Sequence, residues 1–211
     1  PEAFVNMLAH LGWNAGTEQE IFSMEELIEK FSMERVHKNG AKFNYEKALW
    51  FNREWIKKLP LADYLPALIK LFEEKGIDIK DKAHFSKIME LVKDRCTLLP
   101  DFVTQASYFF QPAETIDITA IQPKWNEQKA TFFLEFVRTC QLTGFWQRDE
   151  LEKAFKEIAS VAGLKPGELM LPFRIMLVGG KFGPDVFDIA ALLGKEETIE
   201  RMITGLKLLS E

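Results

Sequence analysis

The amino-acid sequence predicts an all-α protein. Apolar residues recur at helical spacing through most of the chain. Glycines, prolines and capping residues interrupt that pattern at intervals of one short helix. Strand-like alternation is confined to one segment, "TIDITAI" at Thr115–Ile121, which lies between prolines. Hydrophobic residues make up 47% of the 211, enough for packed cores and too many for a disordered chain.

The elements follow in order. A first helix is expected over Glu2–Leu11, with Gly12 as its C-terminal cap. Ser23 and Glu26 have the spacing of a capping box, which opens a short helix reaching about Phe31. Arg35–Phe43 is expected to bend through Asn39-Gly40. Phe43–Leu59 turns Leu49, Trp50, Phe51, Trp55, Ile56 and Leu59 inward and stops at Pro60. Leu61–Lys75 stops at Gly76, and Asp81–Arg95 places Phe85, Ile88, Met89 and Val92 on one face. Pro100, Pro112 and Pro123 then break the pattern, with Thr115–Ile121 as an extended linker. Asn126–Leu142 and Gln147–Ala162 read as a helical pair around Gly144. The run "ELMLPFRIM" (Glu168–Met176) leads into a Gly-rich stretch, where Gly183-Pro184 opens a helix over Asp185–Leu193. After Gly194 a last helix, Lys195–Leu209, carries Ile199, Met202, Ile203 and Leu206 as one stripe. Borders at Pro60 and in the Ile116–Pro123 region give three units: 1–60, 61–124 and 125–211.

Composition excludes several function classes. Net charge is −5 and no third of the chain is basic, which argues against a non-specific nucleic-acid binder and leaves room for a reader of a few bases. No apolar run is long enough to cross a bilayer. Cys96 and Cys140 have neither metal spacing nor a disulfide pattern, so a reducing, cytoplasmic setting is expected. His10, His37 and His84 have no partners at metal spacing. The chain lacks a P-loop, a GxGxxG and a GxSxG, so neither catalytic nor metal-binding residues are expected. Beginning at Pro1 without Met, it reads as a piece of something longer.

Candidates for binding are clearer. Arg174 sits alone among apolar neighbours, where a planar donor fork meets either a base edge or a core-edge acid. On that segment alone the salt bridge is the stronger reading. Arg95 ends its helix, either as a cation favouring the helix C-terminus or as a fork open to a base. Arg35, His37, Lys38, Lys42 and Lys47 form the densest basic stretch, which fits phosphate contact and a solvated helix face equally well.

Together these pieces resemble the C-terminal half of bacterial glutamyl-tRNA synthetases. Pro1–Ile56 is similar to the family's stem-contact region, and "LPFRIMLVGGKFGPDVFDIAALLGKEETIERM" (Leu171–Met202) to its closing anticodon-binding segment. "LVKDRCTLLPDF" (Leu91–Phe102) matches the middle segment more loosely. The resemblance implies an elongated array of small helical bundles: a stem-contact unit and a two-part class I anticodon-binding domain. It implies a monomer that binds tRNA(Glu) and continues from an N-terminal catalytic domain holding ATP and Mg. This chain itself would hold no cofactor and would not aminoacylate. By the same resemblance Arg95 reads the third anticodon base and Arg174 contacts anticodon bases. Gly183, Pro184 and Val186 form the turn that packs on those bases, and Lys38, Lys42 and Lys47 reach the stem. From the residues alone, a helical protein-interaction module without any RNA role remains the rival.

Overall fold

The computed structural model describes residues 1–37, 42–144 and 146–210. Among them there are eleven α-helices joined by short 3-10 turns and no strand, so the all-α expectation stands. The one β-like contact is an isolated bridge between Trp13 and Val36. The chain divides into two compact units, Pro1–Thr104 and Gln105–Glu211. The Asn39-Gly40 turn lies outside the described residues.

The first unit holds α1 (Glu2–Gly12), α2 (Met24–Lys30), α3 (Tyr45–Lys58), α4 (Leu65–Glu74) and α5 (Lys82–Val92), with most of α6 (Leu99–Ala106). The Ser23–Glu26 capping box is present with both of its reciprocal bonds. Trp13, Ala15, Phe22 and Leu27 form a small apolar cluster against α1. One buried polar side chain ties this region together. Asn6 Nδ2 donates to the Glu20 carbonyl at 3.0 Å. Its Oδ1 accepts from the Phe22 N–H at 3.0 Å and from Trp55 Nε1 at 3.1 Å. An apolar residue at position 6 would orphan both donors, at about 1–3 kcal/mol for each.

The second unit holds α7 (Glu127–Leu142), α8 (Arg148–Val161), α9 (Pro166–Val178), α10 (Val186–Leu193) and α11 (Lys195–Leu208). Its core is a set of interlocked rings: Phe132, Phe133, Phe136, Phe155, Phe173 and Phe187, all essentially inaccessible. Centroids such as Phe132–Phe155 at 4.9 Å and Phe136–Phe155 at 5.1 Å meet edge to face, the favourable geometry for aromatic pairs. No helix among the described residues is long and apolar enough to cross a membrane.

Two prolines lie within helices. Pro100 was expected to break the helical pattern but sits in the first turn of α6, where its missing N–H has no partner to lose. Pro172 lies inside α9, so the surrounding core holds a helix that the residue itself disfavours. The segment Thr115–Ile121 is a linker with a 3-10 turn at Ile118–Ala120. It is fastened to the end of α9 by the Asp117 N–H, which donates to the Gly179 carbonyl at 2.9 Å.

Candidate nucleic-acid interface

In each unit a sequence-identified arginine lies at or beside a turn. In the first unit α5 tightens into a 3-10 turn over Lys93–Arg95. The backbone around Arg95 is fastened to α3 on both sides. Lys93 Nζ donates to the Leu59 carbonyl at 2.8 Å, and Arg53 Nη2 reaches the Asp94 carbonyl at 3.4 Å. Asn52 Nδ2 donates to the Thr97 carbonyl. Cys96 is fully buried. Asp101 accepts from the Thr97 and Leu98 N–H groups at 2.8 Å each, capping the start of α6. Against this fixed frame the Arg95 side chain is exposed, with no hydrogen bond or ion pair to any described residue.

The second unit's turn connects α9 to α10 and is built around Arg174. Its Nη1 is shared among three carbonyls: Phe182 at 3.1 Å, Gly183 at 3.0 Å and Pro184 at 2.5 Å. The guanidinium therefore braces the turn. These three contacts are all to backbone oxygens of the turn. Gly183 has φ +101°, a conformation that L side chains rarely adopt. A Cβ there would also come within 3.1 Å of Tyr108 Oη and 3.2 Å of Ile189 Cδ1. Asp185 caps α10, accepting from the Phe187 N–H at 2.9 Å.

Gly183, Pro184 and Val186 are buried, Val186 with only 2% exposure. They set the shape of the turn, while its surface belongs to Lys181, Phe182 and Asp185. Phe182 is 42% exposed and meets Tyr108 edge-on at 5.8 Å. Sequence reasoning passed over it, although a large aromatic beside a Gly-Pro turn was the available signal.

A second missed residue is Arg148, at the first position of α8, where the helix dipole disfavours a cation. Its Nε lies 3.3 Å from Asp188 and its Nη2 3.8 Å from Asp185, next to the braced turn. Its Nη1 meets Asp149 at 2.8 Å and Glu152 at 3.1 Å. Burial, and then repulsion from Asp185, raise the pKa of Asp188 from its ordinary value. Arg148 thus offsets the charge of a pair of acids beside the turn.

Of the basic residues near the start of the chain, Lys47 is committed within the protein. Its Nζ lies 2.6 Å from one oxygen of Glu20 and 2.7 Å from the other, and 4.0 Å from the centroid of Trp50. Arg35 donates to the Ala15 carbonyl. Lys42 is exposed and has no partner among the described residues. Lys38 lies outside the described residues. Cys96 and Cys140 are buried, and burial pushes both thiols up to about 12, far from any thiolate chemistry at neutral pH. Among the described residues no group of three or more His, Cys, Asp or Glu is placed to hold a metal ion.

With this geometry in hand, comparison with known proteins gives a consistent result. A family model described as an anticodon binding domain matches residues 46–206. A glutamate–tRNA ligase from Cytophaga hutchinsonii is 36% identical over 211 residues, covering 100% of this chain and 41% of the ligase. One from Flavobacterium johnsoniae is 38% identical over 202 residues, covering 96% and 40%. The crystal structure of a glutamate tRNA ligase from Elizabethkingia meningosepticum superposes with a TM-score of 0.91 at 34% identity, covering 99% of this chain and 41% of that one. The chain thus spans about 41% of the length of such relatives.

Proposed function

The chain belongs to the anticodon-binding domain family, and from that premise we propose that it is the tRNA-reading arm of a glutamate–tRNA ligase, recognising the anticodon loop of tRNA(Glu). Residues 1–60 are assigned to stem contact, and 61–124 and 125–211 to the anticodon. The longer protein is an ATP-dependent ligase whose ATP, magnesium and glutamate sites lie outside this chain. The surface of the first unit fits attachment to that missing part: Phe4, Leu8, Met24, Ile28, Phe31 and Met33 are all exposed apolar residues.

The observation that carries the reading is Arg95. Its backbone is fixed by three side-chain bonds to neighbouring carbonyls, while its donor fork is left facing solvent. A good fork contact to a base edge contributes about 1–3 kcal/mol of discrimination. The turn braced by Arg174 provides the second contact region, with Phe182 as a ring on which an unstacked loop base can lie. Titrating the chain with tRNA(Glu) and with the same tRNA carrying a scrambled anticodon, at two salt concentrations, tests the proposal. Affinity for both RNAs is expected to fall with salt while the preference for tRNA(Glu) persists. Equal affinities at both concentrations would contradict it and leave the protein-interaction module as the better reading.

A further inference from the structure

The second unit contains an open cleft of about 530 Å³, lined by Ala120, Ile121, Lys124, Lys129, Gly167, Glu168, Leu171 and Pro172. Lys129 is the anomaly in it. Only 7% of this residue is exposed, yet no carboxylate among the described residues pairs with it. Its ammonium makes one hydrogen bond, to the Lys124 carbonyl at 2.6 Å, so two of its three donors have no acceptor among the described residues. Buried charges are normally paired, because an isolated ion away from water is costly. Lys124, an exposed residue, and Gly167 in the first turn of α9 line the same cleft. There Pro166 has no N–H, and the Glu168 N–H is taken by the Lys165 carbonyl at 2.9 Å. The Gly167 N–H has no acceptor among the described residues. Two lysines and a residue with an unused helix-start amide thus line one opening, with Glu168 as the acid among the residues lining it.

We infer that this cleft is a subsite for a phosphate group of the RNA backbone, held by Lys129, Lys124 and the Gly167 N–H. The inference rests on the RNA-reading function proposed above, and it adds a contact that carries no sequence information. Its position supports a role beside the anticodon turn. Gly167 and Arg174 are seven residues apart, two turns of α9, which returns them to the same face about 10 Å apart along the axis. Leu171, itself partly exposed, lies on that face between them. One strand of RNA laid along this face meets the cleft before the turn braced by Arg174.

The test uses the 211-residue chain and two RNA hairpins, the tRNA(Glu) anticodon stem-loop and a version with a scrambled loop. Replacing Lys124→Ala, and separately Lys129→Met, is expected to weaken both hairpins by the same factor. Each change should lower the slope of log affinity against log salt by about one. Glu168→Gln is expected to tighten both hairpins equally, and it does not disturb the buried lysine should Lys129→Met fold poorly. Inorganic phosphate titrated alone, followed by amide NMR, is expected to shift the Gly167 resonance. If the wild-type chain prefers the cognate hairpin but the lysine variants keep its affinity and salt slope, the cleft assignment is overturned and the anticodon reading stands. If neither hairpin is preferred, the anticodon reading fails. Should phosphate then still move Gly167 while the lysine variants leave hairpin binding unchanged, the cleft takes a free anion only and the inference falls with it.

Discussion

Arg95 and Arg174 are the same residue type beside two turns, and the protein treats them in opposite ways. At Arg95 the backbone is held by Lys93, Arg53 and Asn52, and the side chain is left in solvent. At Arg174 the side chain is itself the fastener, spread over three carbonyls of the turn it supports. One arginine waits on a rigid base, while the other is part of the base. The difference separates two ways of presenting a binding surface. In the proposed base contact Arg95 must be ordered on binding, so its contribution is reduced by lost side-chain freedom. Arg174 is ordered in advance, and removing it disturbs the shape of a surface as well as any contact it makes with RNA.

Substitutions at four positions break or sharpen that contrast. The largest effect is expected for Arg174→Ala. It should destabilise the fold by about 1–3 kcal/mol through the lost carbonyl bonds and weaken anticodon-dependent binding by about 1–3 kcal/mol. Thermal unfolding and hairpin titration measure the two losses, and a variant that loses neither removes Arg174 from both roles. Arg174→Lys should recover little, because a single ammonium does not match a guanidinium spread over a turn.

Phe182→Ala comes next. It should lower hairpin affinity by about 1–3 kcal/mol, the range for loss of a base-stacking ring, while changing the melting temperature far less than Arg174→Ala. If stability falls and affinity does not, Phe182 is packing for Tyr108 and not a platform for a base. Arg148→Ala is expected to be smaller again. Exposing Asp185 and Asp188 should weaken cognate and scrambled hairpins alike, more at low salt than at high. A loss confined to the cognate hairpin would instead mean that Arg148 acts on the shape of the turn.

Lys47→Ala should be the smallest. The ammonium is already paired with Glu20, and exposed ion pairs contribute about 0–1 kcal/mol. Little change in stability and a slight loss of RNA affinity are expected. A loss as large as that of Arg174→Ala would show that Lys47 leaves Glu20 to reach a phosphate.

The pattern of legibility follows the same physics. Helix identity could be read where local signals sufficed: the Ser23–Glu26 capping box and the apolar face of α5 needed only spacing. Pro100 was misleading because the rule that proline breaks helices depends on position, and Pro172 sits inside α9 on tertiary support that no local window contains. Both arginines could be picked out as cations in unusual settings. Their different roles could not, because Arg174 meets carbonyls eight to ten residues further along the chain, and Arg95 depends on α3 for its frame. Lys47 looked like one of several surface cations, and its partner Glu20 lies 27 residues away. Lys129 was hidden by its own helix, where a lysine reads as a solvated face. Only packing shows that it is buried.

The most direct test of the contrast is the energy of one base. Affinities of the tRNA(Glu) anticodon stem-loop and of the same hairpin with its third anticodon base changed are measured on the wild-type chain, on Arg95→Gln and on Arg174→Ala. The wild type should lose about 1–3 kcal/mol on the base change. Arg95→Gln should lose most of that discrimination with unaltered stability, and Arg174→Ala should keep it while binding both hairpins more weakly. The same third-base penalty in Arg95→Gln as in the wild type would contradict the role assigned to Arg95, and with it the contrast between the two turns.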